Sequence, residues 1–231
     1  MTLHKPQHHT TSRDLTQTLQ TYEKDAEIFL KHWGKKKYKR PALIVQWLKL
    51  LPERAVLLDL GCGAGQDSRH LTKLEHHVIG LDRTMPPLQF ANGRTPLVPH
   101  ILADIRALPL RVDSLDGIWA AASLIHLPKR NVAGVLAELH DIVKPAGLFA
   151  ATFTYGSNSR IKRTGWMPGR YYARWRKDEL ARALRRAGWT VMSLRVVSNQ
   201  ERKGRWINVI ARGKYSTYAD SADPGLLKRI Q

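Results

Sequence analysis

The sequence predicts an α/β fold with a doubly wound, mostly parallel sheet, and three observations carry that prediction. Apolar runs of strand length alternate with helical patterns up to Phe153. One run, Val56-Leu-Leu-Asp-Leu60, ends in glycines at alternate positions (Gly61, Gly63, Gly65) before a helical stretch from Gln66 to Leu74. An acid, Asp82, closes the next short strand, His77-Val-Ile-Gly-Leu-Asp82. Buried parallel strands read as continuous apolar runs. Glycines let the backbone turn tightly and approach a ligand that a Cβ would block, and the helix behind them offers unpaired N–H groups to an acceptor. A length of 231 residues suits one such domain with a sizeable core.

The elements follow in order. Residues 1–13 are polar, carry His4, His8 and His9, and read as a disordered tail. A single domain is expected over 14–213, opening with a helical cap over 14–51. Apolar groups at helical spacing (Leu15, Leu19, Tyr22, Ala26, Phe29, Leu30, Trp33) predict an amphipathic helix with Asp14 as its N-cap. After the basic run Gly34–Arg40, Pro41 starts a helix reaching Leu51. Strands and helices then alternate to Phe153. Residues 155–172 form a Gly-, Ser- and Arg-bearing insertion, a candidate lid. A helix over Lys177–Ala187 and two closing strands complete the domain, and 214–231 read as a loose polar tail. There is no internal repeat.

The spacing specifies chemistry. Asp82 lies about 20 residues beyond the glycines, where a carboxylate bridges ribose hydroxyls, and an ionised carboxylate accepts both hydroxyl protons. The loop reads G-x-G-x-G rather than G-x-G-x-x-G, so the pyrophosphate fingerprint of dinucleotide enzymes is not met. Adenosine without a diphosphate is the expected ligand.

These motifs carry a family resemblance. Asp59-Leu-Gly-Cys-Gly-Ala-Gly65 resembles motif I of the class I S-adenosylmethionine-dependent methyltransferases, and Gly80-Leu-Asp82 resembles their next acidic motif. Ala103-Asp-Ile-Arg-Ala-Leu-Pro109 is similar to the adenine loop, Leu115–Pro128 to the fourth strand and its following loop, and Leu136–Leu148 to the helix and turn before the fifth strand. Arg205–Arg212 resembles the family's antiparallel last strand. The resemblance spans about residues 18–213 and implies a seven-stranded, Rossmann-like sheet with S-adenosylmethionine as cofactor. It implies that Gly61, Gly63 and Gly65 pass close to the methionine portion with Asp59 orienting their loop. Asp82 would hold the ribose, Asp104 would accept from the adenine amino group, and Ile105 would supply an apolar wall. Tyr22 is similar to a tyrosine folded over the methionine carboxylate, with core packing on its helix as the other reading. A Trp-Ala-x-Ala-Ser-Leu-x-His-Leu-Pro run, here Trp119–Pro128, also resembles a broad bacterial group of methyltransferases whose acceptors are mostly undefined.

His126 is the base candidate, since it follows the fourth strand and histidine titrates near neutral pH. A structural role for its imidazole stays open, and a carboxylate acceptor would need no base. Lys and Arg number 38 against 19 acids, a formal net charge of +19. The excess favours polyanions and clusters at Lys35–Arg40, Arg160–Arg163, Arg170–Lys177, Arg182–Arg186 and Arg202–Arg205, with aromatic groups interleaved. Two acceptor classes follow: a small molecule met by Arg170, Tyr171, Tyr172 and His126, or tRNA or rRNA docked on the basic surface. Gly169-Arg-Tyr-Tyr172 is partly similar to tRNA wobble-uridine carboxymethyl methyltransferases, although the histidine expected after the tyrosines is Ala173. Cys62, the single cysteine, reads as a packing residue and fits a reducing cytosol. No apolar stretch reaches membrane-spanning length, and no metal-ligand spacing is present.

Overall fold

The computed structural model describes residues 12–34, 41–199 and 204–213. β1 (Val56–Leu60) is apolar except for Asp59 and pairs in parallel with β2 (His77–Asp82) on one side and β4 (Leu115–Ala121) on the other. β3 (His100–Leu102) continues beyond β2, and β5 (Val143–Tyr155) lies beyond β4, both parallel to their neighbours. β9 (Thr190–Asn199) and β10 (Gly204–Arg212) form an antiparallel pair, and β10 also runs antiparallel to β5. The strand order is β3-β2-β1-β4-β5-β10-β9. This is the doubly wound sheet expected, with its antiparallel final strand. An eighth short strand, β8 (Arg174–Trp175), pairs with the end of β5. Within 155–172, β6 (Arg160–Ile161) pairs with β7 (Tyr171–Tyr172) as a separate two-stranded unit.

Alternation along β1 builds two cores. Leu58 and Leu60 face a layer with Leu136 and Leu139 of α6 (Lys129–Ile142) and Leu180 and Leu184 of α7 (Lys177–Arg186). Leu57 faces the other side, with Leu43, Ile44 and Trp47 of α3 (Ala42–Leu48) and Leu71 of α4 (Gln66–Lys73). Trp47 stacks on Trp119 of β4, ring centroids 5.7 Å apart. Each such leucine, fully buried, contributes roughly 1.5–3 kcal/mol. α5 (Met85–Arg94) follows β2 and completes the connection to β3.

Before α3 the chain differs from the single helix expected over Leu15–Trp33. It forms α1 (Ser12–Lys24), α2 (Ala26–Phe29) and a π turn over Leu30–Gly34, with the break at Asp25. Asp14 is not the cap, because the helix already begins at Ser12. Pro41 does cap α3 with extended backbone, φ −62° and ψ 142°, but the helix ends at Leu48 rather than Leu51. The expectations for residues 1–11, Lys35–Arg40, Arg202 and 214–231 lie outside the described residues. No helix among the described residues is long and apolar enough to cross a membrane.

Candidate active site

The carboxyl ends of β1, β2 and β4 open onto a cavity of about 2340 Å³. That exceeds the roughly 300–1,000 Å³ of a single small-molecule pocket, so it has room for two ligands. The glycine loop forms one wall. Gly61 has φ +74°, and a Cβ there would lie 2.3 Å from Ser123 Cβ, so the residue must be glycine for the loop after β4 to approach. Ser123 Oγ is itself buried without a hydrogen-bond partner and lines the cavity. Gly61 and Cys62 both donate from the backbone to the Leu81 carbonyl (2.7 and 3.0 Å), pinning the loop to the end of β2. Gly63 N–H donates to Asp82 Oδ2 at 2.9 Å, and Gly65, φ +71°, starts α4.

Four acids stand on this half of the cavity. Asp59 is buried and accepts from Ser68 Oγ of α4 at 2.6 Å, which ties strand to helix across the loop. Burial, then the neighbouring Asp67 carboxylate, pushes its pKa up to about 7. Asp67 accepts from Trp119 Nε1 at 2.9 Å. Asp82 Oδ1 accepts from the Thr84 N–H and hydroxyl (2.9 and 2.7 Å), while Oδ2 takes only Gly63. A carboxylate has about four lone-pair positions, so Asp82 keeps acceptor capacity toward the cavity. Asp104 does not keep any. Arg106 donates to both its oxygens and Arg83 Nη1 lies 2.7 Å from Oδ2. Burial works to raise the Asp104 pKa, but the Arg106 bonds and both guanidinium charges outweigh it and hold it low. The expected adenine contact therefore requires one arginine to move aside. Ile105 lines the cavity and also packs on the core, so both of its readings fit. Cys62 is buried, and burial, then Asp59 and Asp82, raise its pKa well above the usual value, which keeps the thiol protonated.

The opposite half is built from three distant segments. His126 sits in a 3₁₀ turn, Leu124–His126, after β4. Its Nδ1 is 2.7 Å from the Tyr171 carbonyl, which only accepts, so Nδ1 carries the proton. Nε2 therefore accepts from the Tyr22 hydroxyl, 2.9 Å away. Arg170 Nη1 in turn donates to the Tyr22 oxygen at 3.2 Å. Burial, then the Arg170 charge, pulls the His126 pKa down to about 3 against the Tyr171 bond. Both imidazole nitrogens are thus occupied, and the ring is neutral. Tyr171 contributes through its main chain, also donating its N–H to Thr18 Oγ1 at 2.9 Å, while its ring is buried in the core. Tyr172 is half-buried and meets His126 edge-on at 5.0 Å.

Arg170 is only 4% exposed and lies over the rings of Trp166 (4.5 Å), Tyr22 and Tyr172 (5.5 Å each), with Nε bonded to the Met167 carbonyl. Sequence reasoning found Arg170, Tyr171, Tyr172, Tyr22 and His126 separately but not the hydrogen-bonded chain joining them. Ser123 was missed as a site residue although it stands in the quoted Trp119–Pro128 run. Among the described residues no group of three or more His, Cys, Asp or Glu side chains could hold a metal ion.

A glycine-cradled cleft at the carboxyl ends of parallel strands, with acids on the first two, defines a nucleotide-cofactor protein of the class I methyltransferase fold. The sequence agrees: residues 58–151 match the methyltransferase domain family model. Over that segment the chain is similar to the class I S-adenosylmethionine-dependent methyltransferases. It is 31% identical over 112 residues to the malonyl-[acyl-carrier protein] O-methyltransferase of Salmonella typhimurium, covering 48% of this chain and 44% of that protein. It is 26% identical over 106 residues to the sterol 24-C-methyltransferase of Candida albicans, covering 43% and 28%. The chain thus spans less than half the length of these relatives. Its fold matches the 1,6-didemethyltoxoflavin-N1-methyltransferase of Burkholderia thailandensis with a TM-score of 0.74 at 21% identity, covering 92% and 93% of the two chains.

Proposed function

We propose that this protein is an S-adenosylmethionine-dependent methyltransferase acting on a small-molecule acceptor. The observation that carries the reading is the single cavity joining the glycine loop and Asp82 to the Tyr22, His126 and Arg170 group. The residues fit the cofactor: the loop presents glycine where a side chain would close the cradle, Ser123 Oγ lacks a protein partner, and Asp82 keeps a lone pair for a hydroxyl. Gly61, Gly63 and Gly65 would take the amino-acid portion, Asp82 the ribose and Ile105 the adenine end, with Asp104 joining it only where Arg83 or Arg106 moves aside. The cofactor supplies a methyl group made electrophilic by its sulfonium. Tyr22 and the His126 turn shape the acceptor side, and α1 and α2 exclude water above it. Holding two ligands in line is itself a large part of such catalysis.

The two curated relatives are named as methyltransferases of malonyl-[acyl-carrier protein] and of a sterol, which supports a small acceptor over RNA. The test is calorimetric binding of S-adenosylmethionine, followed by methyl transfer from labelled cofactor into small-molecule and RNA fractions of one extract. Asp82→Ala should weaken cofactor binding by about 10- to 100-fold, the value of a lost charged hydrogen bond, with its thermal midpoint checking the fold. Wild-type protein that does not bind the cofactor would sink the reading. Label entering RNA alone would move the acceptor to the basic surface.

A further inference from the structure

Charge divides the cavity in two. Asp59, Asp67, Asp82 and Asp104 all stand on the glycine-loop half. The other half presents Arg160, Lys162, Arg163, Arg170, Arg174 and Arg205, and no described carboxylate pairs with any of them. Glu179, which also lines the cavity, is taken by Lys129 at 2.7 Å. The cations are graded in depth: Arg170 is buried, Arg174 half-buried, and Lys162 exposed at the rim. They lie close enough to oppose one another, since burial, then the Arg170 and Arg174 charges, lower the Lys162 pKa. A buried guanidinium with no anion is costly unless a ligand completes it. The aromatic rings around Arg170 offset part of that cost, but they do not explain why two further cations converge on the same wall.

Resting on the methyltransferase reading, we infer that the acceptor is a carboxylate-bearing small molecule held by Arg170, with Arg174 and Lys162 toward the cavity mouth, and methylated on that carboxylate. The guanidinium fork suits a planar two-oxygen group. The rest of this half agrees, because no base stands ready. His126 Nδ1 is committed to the Tyr171 carbonyl and Nε2 to the Tyr22 hydroxyl, so the acceptor has to bring its own nucleophilic lone pair, as an ionised carboxylate does. The carboxylate oxygen gives a lone pair to the methyl carbon, and the pair of the breaking carbon–sulfur bond stays on sulfur. The negative charge of the carboxylate and the positive charge of sulfur are both lost, and no proton is released. Arg170 and Lys162 orient the anion, and the neutral His126 keeps Tyr22 in place beside it.

The test is binding of benzoate to the full chain saturated with S-adenosylhomocysteine, read by fluorescence of the tryptophans, Trp166 lying against Arg170. Benzamide serves as the neutral isostere, with inorganic phosphate and a single-stranded RNA oligonucleotide as the other anions. Benzoate should bind at least about tenfold tighter than benzamide, the value of one charge-assisted hydrogen bond. Arg170→Gln should abolish the preference. Lys162→Gln, at an exposed position safe for folding, should reduce it by about threefold or more. Equal affinity for benzoate and benzamide overturns the inference, as does preference for phosphate or for RNA. Competition between benzoate and S-adenosylhomocysteine would assign the cations to the amino-acid tail of the cofactor and overturn it too. Failure of S-adenosylhomocysteine itself to bind would instead remove the underlying methyltransferase reading.

Discussion

At the scale of the residue, Asp59 shows how the glycine loop is held and what that costs. Its carboxyl is buried against Ser68, and burial, then Asp67, raises its pKa from 3.8 to about 7. Between those two values the folded protein holds a proton that the unfolded chain has released. The stability Asp59 lends is therefore complete below about pH 4 and is lost as pH rises through 7. Asp59→Asn keeps an oxygen for the Ser68 hydroxyl and removes the titration. At pH 8 the variant should be more stable than wild type by on the order of a few kcal/mol, and the gap should close toward pH 4. Urea unfolding across that range checks it, and parallel pH profiles for the two proteins would refute the burial account.

At the scale of the element, six contacts latch the N-terminal segment to the sheet domain. Thr18 Oγ1 accepts from Tyr171 N–H, Tyr22 joins His126 and Arg170, and Phe29 approaches Gly63. Gln66 Nε2 and Arg94 Nη1 donate to the carbonyls of Trp33 and Gly34. Tyr22→Phe leaves the His126 lone pair and one Arg170 N–H without that partner, at a cost of about 1–3 kcal/mol. It should also loosen α1, seen as faster amide exchange over 12–24 with exchange in β1 unchanged. Unaltered exchange in α1 would mean that the hydroxyl is not a latch. None of these contacts was legible in the sequence, since Arg170 and Tyr22 are 148 positions apart. What was legible has a local cause: strands from apolar runs, the loop from glycines that need positive φ, and Asp82 from its spacing. Local reading also missed things within its reach. Arg106 stands two residues from Asp104 and takes its carboxylate, and the α1 start at Ser12 displaced the cap assigned to Asp14. β8 escaped because two residues carry no periodicity.

At the scale of the whole molecule, a net charge of +19 is not spread evenly over the surfaces that matter. Four of the five acids that line the cavity gather where the cofactor is expected, and cations without a described carboxylate partner line its other half. That separation predicts a salt response for the acceptor and almost none for the cofactor. The Debye length falls from about 20 Å near 0.02 M salt to about 4 Å near 0.5 M, so the long-range pull of the exposed Arg160, Lys162, Arg163 and Arg205 is screened away. Arg170 is buried and is screened far less. Benzoate affinity should therefore fall several-fold over that range and then level off, and the plateau measures what Arg170 holds alone. S-adenosylhomocysteine is a neutral zwitterion at neutral pH, and its affinity should change by less than about twofold. Lys162→Gln should flatten the benzoate curve at low salt and meet the wild type at high salt. A benzoate curve that keeps falling without a plateau would mean that the anion never reaches Arg170, leaving the buried guanidinium as part of the Tyr22–His126 framework only.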